Sequence, residues 1–103
     1  MSDGYVLREE SGSIEITPGA LAQIVQQAAE GVEGARVRRP RRGLDLRVED
    51  GHARVELELA ARYGAVLPDL AREVQAQVAE ALTTMVSLEV EAVDVSIEEL
   101  ERA

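Results

Sequence analysis

The sequence predicts an α+β domain: a two-layer sandwich in β-α-β-β-α-β order, with two helices on one face of a small antiparallel or mixed sheet. Three observations carry this expectation. Apolar residues recur at helical spacing over two segments, one from Pro18 to Glu30 and a longer one from Leu67 to about Met85. Two alternating segments flank Asp50-Gly51, the residue pair favoured in a two-residue type I′ hairpin turn. Period-two alternation then returns between Leu88 and Ile97, after the second helix.

Residues 1–12 are polar and are expected to form a flexible N-terminus, residues 13–98 the single folded domain and residues 99–103 a C-terminal tail. Ser13-Ile14-Glu15-Ile16 alternates and predicts a short strand. Thr17 supplies an N-cap and Pro18 fills the first helical position, where no amide donor is needed. Leu21, Ile24, Val25, Ala28 and Val32 fall on one helical face, and Gly31 and Gly34 are natural stop residues. Arg36-Val37-Arg38 reads as the beginning of a strand that Pro40 interrupts.

The hairpin can be tested against its own pattern. A two-residue loop at 50–51 sets Val48 opposite Ala53, Leu46 opposite Val55 and Leu44 opposite Leu57, all on one face. On the other face Arg47 meets Arg54 and Asp45 meets Glu56. The diagonals Arg47–Glu56 and Asp45–Arg54 are expected to offset those like-charge pairs. The strand should stop at Tyr63-Gly64. Pro68 and Asp69 then suit the first turn of the main helix, the acid meeting the positive end of its dipole. Leu67, Leu70, Ala71, Val74, Val78, Ala81, Leu82 and Met85 make its apolar stripe. Phe and Trp are absent from the chain, so small residues such as Ala71 and Ala81 must bring this helix close to the sheet for the core to fill. Val93, Val95 and Ile97 alternate on a parity shifted from Leu88 and Val90, which predicts a turn or bulge at Glu91-Ala92.

At 103 residues the chain is long enough to bury a core without staples. With no cysteine, disulfide and thiolate chemistry is excluded, and a single histidine, His52, leaves little scope for metal or imidazole acid–base schemes. No cofactor and no catalytic or metal-binding residues are expected. No apolar run approaches the roughly 18 residues of a membrane span. The acidic Met1-Ser2-Asp3-Gly4 start carries no apolar signal region, so a cytoplasmic location is expected, with recruitment to the inner face of the cell membrane only through a partner. The formal net charge of −9 is uneven: five of the eleven basic residues, all of them arginine, lie in Ala35–Arg42, which has no acid. An acidic body repels nucleic acid and anionic lipid, whereas this short segment would attract them locally.

Several features together resemble the bacterial alkaline shock or envelope stress response proteins. These are Ile14-Glu15-Ile16 before the first helix, Val32-Glu33-Gly34 closing it, and the strand pair around Val48-Glu49-Asp50-Gly51-His52-Ala53-Arg54-Val55. Tyr63-Gly64 with Pro68, Val74-Gln75, and Leu88-Glu89-Val90 leading to Val93-Asp94-Val95 complete the pattern, which spans roughly Gly12 to Ile97. The resemblance implies a non-enzymatic stress-response protein that forms homo-oligomers or docks on a membrane-embedded partner. It supplies no catalytic residues. The chain departs from the common pattern in Ala35–Gly43, which is short and arginine-dense where a longer Gly-rich or Lys-containing loop is expected.

The candidate interaction residues are Arg36, Arg38, Arg39, Arg41, Arg42 and Tyr63. The arginines have two readings: a contact for phosphate or an acidic partner, or a solvated segment that balances the protein's own acid. Nucleic-acid binding through Arg36–Arg42 is the alternative function, weakened because no aromatic residue is interleaved for stacking. Gly31-Val32-Glu33-Gly34 matches the GxxG loop of KH-type RNA-binding domains in form, but Glu33 would repel phosphate and helix termination explains both glycines. Tyr63 either packs against the main helix or stands as an exposed interface anchor. His52 reads as an exposed turn residue. Glu9-Glu10, Glu49-Asp50 and Glu98-Glu99 are sequence neighbours, which point to opposite faces of a strand and cannot serve as paired acid and base.

Overall fold

A computed structural model describes residues 3–38 and 43–102. The elements are β1 (Tyr5–Glu9), β2 (Gly12–Ile16), α1 (Pro18–Glu30), β3 (Ala35–Val37), β4 (Leu44–Glu49), β5 (His52–Arg62), α2 (Leu67–Val86) and β6 (Glu89–Glu101). The architecture is the expected α+β sandwich, with a mixed sheet. β5 is its spine: β3 and β4 lie end to end along one edge, both antiparallel to it, and β6 runs parallel along the other. Parallel neighbours need a crossover, and α2 supplies it.

The β4–β5 hairpin has the register the turn demands, with Val48, Leu46 and Leu44 opposite Ala53, Val55 and Leu57. Asp50 (φ 51°) and Gly51 (φ 76°) both adopt the positive φ that a type I′ turn requires. Both helices cover one face of the sheet. Leu46, Val55, Leu59, Val74, Val78 and Leu82 are among the fully buried residues between the layers, and no polar side chain is buried with them among the described residues. Aliphatic side chains and alanines alone fill this core.

α1 begins as expected: the Thr17 hydroxyl accepts from the Ala20 amide (3.2 Å), and Gly31 ends the helix. α2 differs in two details. Its buried residues are Leu70, Val74, Val78, Leu82 and Val86, a strict four-residue row, while Met85 is 64 % exposed. A four-residue row is inclined to the helix axis, so by the last turn the seam has rotated away from Met85 onto Val86. The helix closes on Ser87 in the left-handed region (φ 58°), with the Leu88 amide reaching the Leu82 carbonyl (3.2 Å). This Schellman-type stop is made without glycine.

Both chain ends carry more structure than their sequence implies. The segment expected to be a flexible N-terminus contains β1, which pairs antiparallel with β2 in a separate two-stranded sheet. Tyr5 and Ile16 pack against the core, and the Asp3 amide donates to the Leu46 carbonyl (2.8 Å) along the outer edge of β4. Residues 99–101 of the expected C-terminal tail belong to β6, where Leu100 and Glu101 register with Ala61 and Arg62. Docking to an eleven-residue partner strand holds both residues in place. β6 also carries the bulge expected at Glu91 and a second one at Glu98, where the register with β5 shifts.

Candidate interaction surface

The sheet face away from the helices is open and charged. Its outward positions on β5 are Arg54, Glu56, Glu58 and Arg62, with Asp45 and Arg47 on β4 and Asp94 on β6 beside them. The diagonal pairs expected across the hairpin do not form. Arg47 turns back along its own strand, its Nε donating to Asp45 Oδ2 at 3.3 Å. Residues two apart on one strand share a face, and that short arc is easier for a guanidinium to close than the cross-strand diagonal.

Arg36 on β3 and Arg38, the residue that follows it, stand at the other end of this face. Arg36 makes a two-pronged contact with Glu101 of β6, Nε to Oε1 at 3.2 Å and Nη2 to Oε2 at 2.6 Å, and lies 3.6 Å from Glu99. Arg38 lies 3.8 Å from Glu58 and 3.9 Å from Glu99. The register places Arg36 and Glu99 on either side of Ala60, which is wholly buried although it has outward parity. A methyl group there leaves room for the ion pairs to cross β5. The hydrogen bond from Arg36 holds the Glu101 carboxyl below its ordinary range, and the same bond raises the Arg36 guanidinium. These two arginines therefore balance the protein's own acid. Arg39, Arg41 and Arg42 lie outside the described residues.

The base of that arginine segment is well defined. The Arg38 amide donates to the Glu58 carbonyl (2.9 Å), and the Glu58 amide donates to the Gly43 carbonyl (2.7 Å), so one β5 residue is bracketed by both flanks. Gly43 sits so close to the Arg38 carbonyl that a Cβ would overlap it. The glycine is what allows β3 and β4 to act as one interrupted edge strand.

Tyr63 is 58 % exposed and does not pack beneath α2; the Arg102 guanidinium lies 5.1 Å from its ring centroid. It follows the last residue of β5, where its amide donates to the Glu101 carbonyl (2.7 Å). Val66 and Leu100 are exposed at the same end of the sandwich. The sequence placed Tyr63 at a strand end with exposure as one of its two readings and Leu100 in the C-terminal tail, so no periodic signal brought these residues together. His52 is the first residue of β5 and half-exposed, with Nδ1 3.6 Å from the Glu89 carboxylate. Among the described residues no group of three His, Asp or Glu side chains is arranged to hold a metal ion.

Gly31 and Gly34 act in helix termination. Gly31 is the cap of α1, and Gly34 takes φ +89° where the chain turns into β3. Between them Val32 is buried and Glu33 accepts from Arg62 (3.1 Å), so this GxxG is bonded into the domain. No described helix is long and apolar enough to cross a membrane.

No match to the chain is found among curated proteins or solved structures. The model of a family with cell envelope-related function, the alkaline shock protein family, matches residues 35–102, from β3 through β6. That stretch holds the β5 spine, the α2 crossover and the Arg36–Glu101 contact, and covers most of the chain. The protein belongs to the alkaline shock protein family, whose function is related to the cell envelope.

Proposed function

We propose that this protein is a non-enzymatic scaffold or interaction domain that serves the cell envelope from the cytoplasmic side, by self-association and by docking on a membrane-associated partner. The family match over residues 35–102 carries this reading. The family is not a known enzyme family. The exposed apolar residues Tyr63, Val66 and Leu100 support it as well, since several large apolar side chains exposed at one end of a domain suit a contact surface better than a substrate cleft. Nucleic-acid binding is the weaker reading, because Arg36 and Arg38 are already engaged by Glu58, Glu99 and Glu101.

In-cell cross-linking followed by fractionation and sedimentation over a concentration range is the test. The expected result is recovery of the chain with envelope membranes, with itself and a membrane protein as the cross-linked species, and loss of both on Tyr63→Ser with Leu100→Ser. A chain that remains monomeric at all concentrations and cross-links to no envelope protein would overturn the proposal.

A further inference from the structure

Among the described residues the outer side of β3 is bonded from the end of α1, the Ala35 amide donating to the Val32 carbonyl (3.1 Å) and the Val37 amide to Glu30 Oε2 (3.0 Å). The far side of β4 is bonded by Asp3, through its amide to the Leu46 carbonyl and through its carboxylate to the Val48 amide (2.9 Å). β5 has a strand on either side. Among the described residues β6 pairs only with β5, and the one bond recorded on its far side is from Gln75 Nε2 of α2 to the Val93 carbonyl (2.8 Å). Within a strand the N–H and C=O of a residue point to one side and those of its neighbours to the other. Val95 and Ile97 share the parity of Val93, so their N–H and C=O groups face outward. The regular run between the two bulges is Ala92–Ile97, close to the length of an ordinary strand.

We propose that this edge of β6 is a strand-addition site for an extended, arginine- or lysine-bearing segment of a partner protein. The charge pattern selects that occupant. β6 carries Glu89, Glu91, Asp94, Glu98, Glu99 and Glu101 and no basic residue. A second copy of β6 would bring two acidic strands together, and like charges facing each other oppose pairing. Glu99 and Glu101 are engaged by Arg36 and Arg38, whereas Glu91 and Asp94 have no ion pair recorded among the described residues. Asp94 is on the outer face of the regular run and Glu91 at the bulge just before it, where a basic side chain on an added strand would meet them.

The helix side of the edge suits the other half of an alternating segment. Ala79 and Thr83 of α2, with Leu88 and Val90, line a shallow open groove at the start of β6, and Val95 and Ile97 are half-buried further along the strand. An added strand would present basic residues to Glu91 and Asp94 and small aliphatic residues to the groove. Backbone bonds would then give affinity, and the two side-chain faces specificity. This inference rests on the reading of the chain as an interaction domain and names the surface and the chemistry of what docks.

The test uses the full chain and blocked peptides of about eight residues that alternate Arg and Val, or Glu and Val. Binding is followed by anisotropy, and by hydrogen exchange of the Val95 and Ile97 amides. The expected result is binding of the Arg–Val peptide alone, at least about tenfold slower exchange at both amides, and an affinity that falls with salt. Methylating one alternate set of peptide amides should abolish binding, and methylating the other set should not. Glu91→Lys with Asp94→Lys, both at exposed positions, should shift preference to the Glu–Val peptide. Equal binding of both methylated peptides, or protection only outside Val93–Ile97, would reduce the effect to charge attraction and overturn the proposal. Loss of peptide binding in a chain that still cross-links at the envelope overturns this inference alone. Retained peptide binding in a chain absent from the envelope overturns the proposed function and leaves the edge site standing.

Discussion

Leu82 and Met85 occupy the same apolar stripe in the sequence, yet the structure assigns them opposite energetic roles. Leu82 is fully buried between α2 and the sheet, and Met85 is 64 % exposed. Truncating a buried leucine removes its transfer free energy and leaves a cavity, at a cost of about 3 kcal/mol or somewhat more. Against a total stability of about 5–15 kcal/mol this is a large fraction. With about 4–8 °C of Tm per kcal/mol for a domain of this size, Leu82→Ala should lower Tm by about 12–24 °C. Met85→Ala removes side-chain atoms that already face water and puts the best helix former in their place, so its effect should stay within about 0.5 kcal/mol. Far-UV circular dichroism during urea and thermal unfolding is the assay, since the chain has no tryptophan to report by fluorescence. Comparable losses in the two variants would refute the placement of the α2 seam on Val86 and its four-residue row.

Three further outcomes are expected. Gly51→Val forces a β-branched residue to φ 76° and should cost more than about 1 kcal/mol, measured as a lower urea midpoint at unchanged slope. Gly43→Ala places a Cβ against the Arg38 carbonyl and should destabilise the chain while loosening Arg38 and Glu58, which amide exchange of those residues would show. The Glu101 carboxyl is held below its ordinary value by Arg36, so its contribution is present above the unfolded carboxylate pKa and is lost as pH falls through the lower, folded value. The Tm difference between the parent chain and Glu101→Gln should therefore be constant near neutrality and shrink on acidification below about pH 4.5. A difference that persisted at pH 2, or that survived high salt undiminished, would count against the ion pair.

Some of the interaction surface was legible and some was not, for identifiable reasons. Arg36 and Arg38 stand out in sequence as part of a dense basic segment, but their partners Glu99 and Glu101 lie more than sixty residues away. Nothing local links them; only the parallel pairing of β6 with β5 carries those acids to β3. Tyr63 was visible as the end of a strand, while its exposure depended on where β6 ended relative to it. β1 escaped because Tyr5-Val6-Leu7 is a short run, stabilised by pairing with β2 and by contact with the core more than by its own propensity. Met85 was misplaced because periodicity averages over a helix, whereas the seam of an actual contact follows an inclined row.

The sequence by itself determined the features governed by neighbours within a few residues. These are the Thr17-Pro18 helix start, the Asp50-Gly51 turn with the register it imposes, the extent of both helices to within a residue or so, and the bulge at Glu91. Each follows from local dihedral preference or from a hydrophobic period that allows one solution. The tertiary structure alone decided that β6 runs parallel to β5, that Arg36 reaches across Ala60 to Glu101, and that no second strand among the described residues pairs with β6. Those are long-range pairings. A strand's alternation states which face it buries but not which strand it joins, so the partner is settled only when the crossover helix packs and the remaining edges are closed.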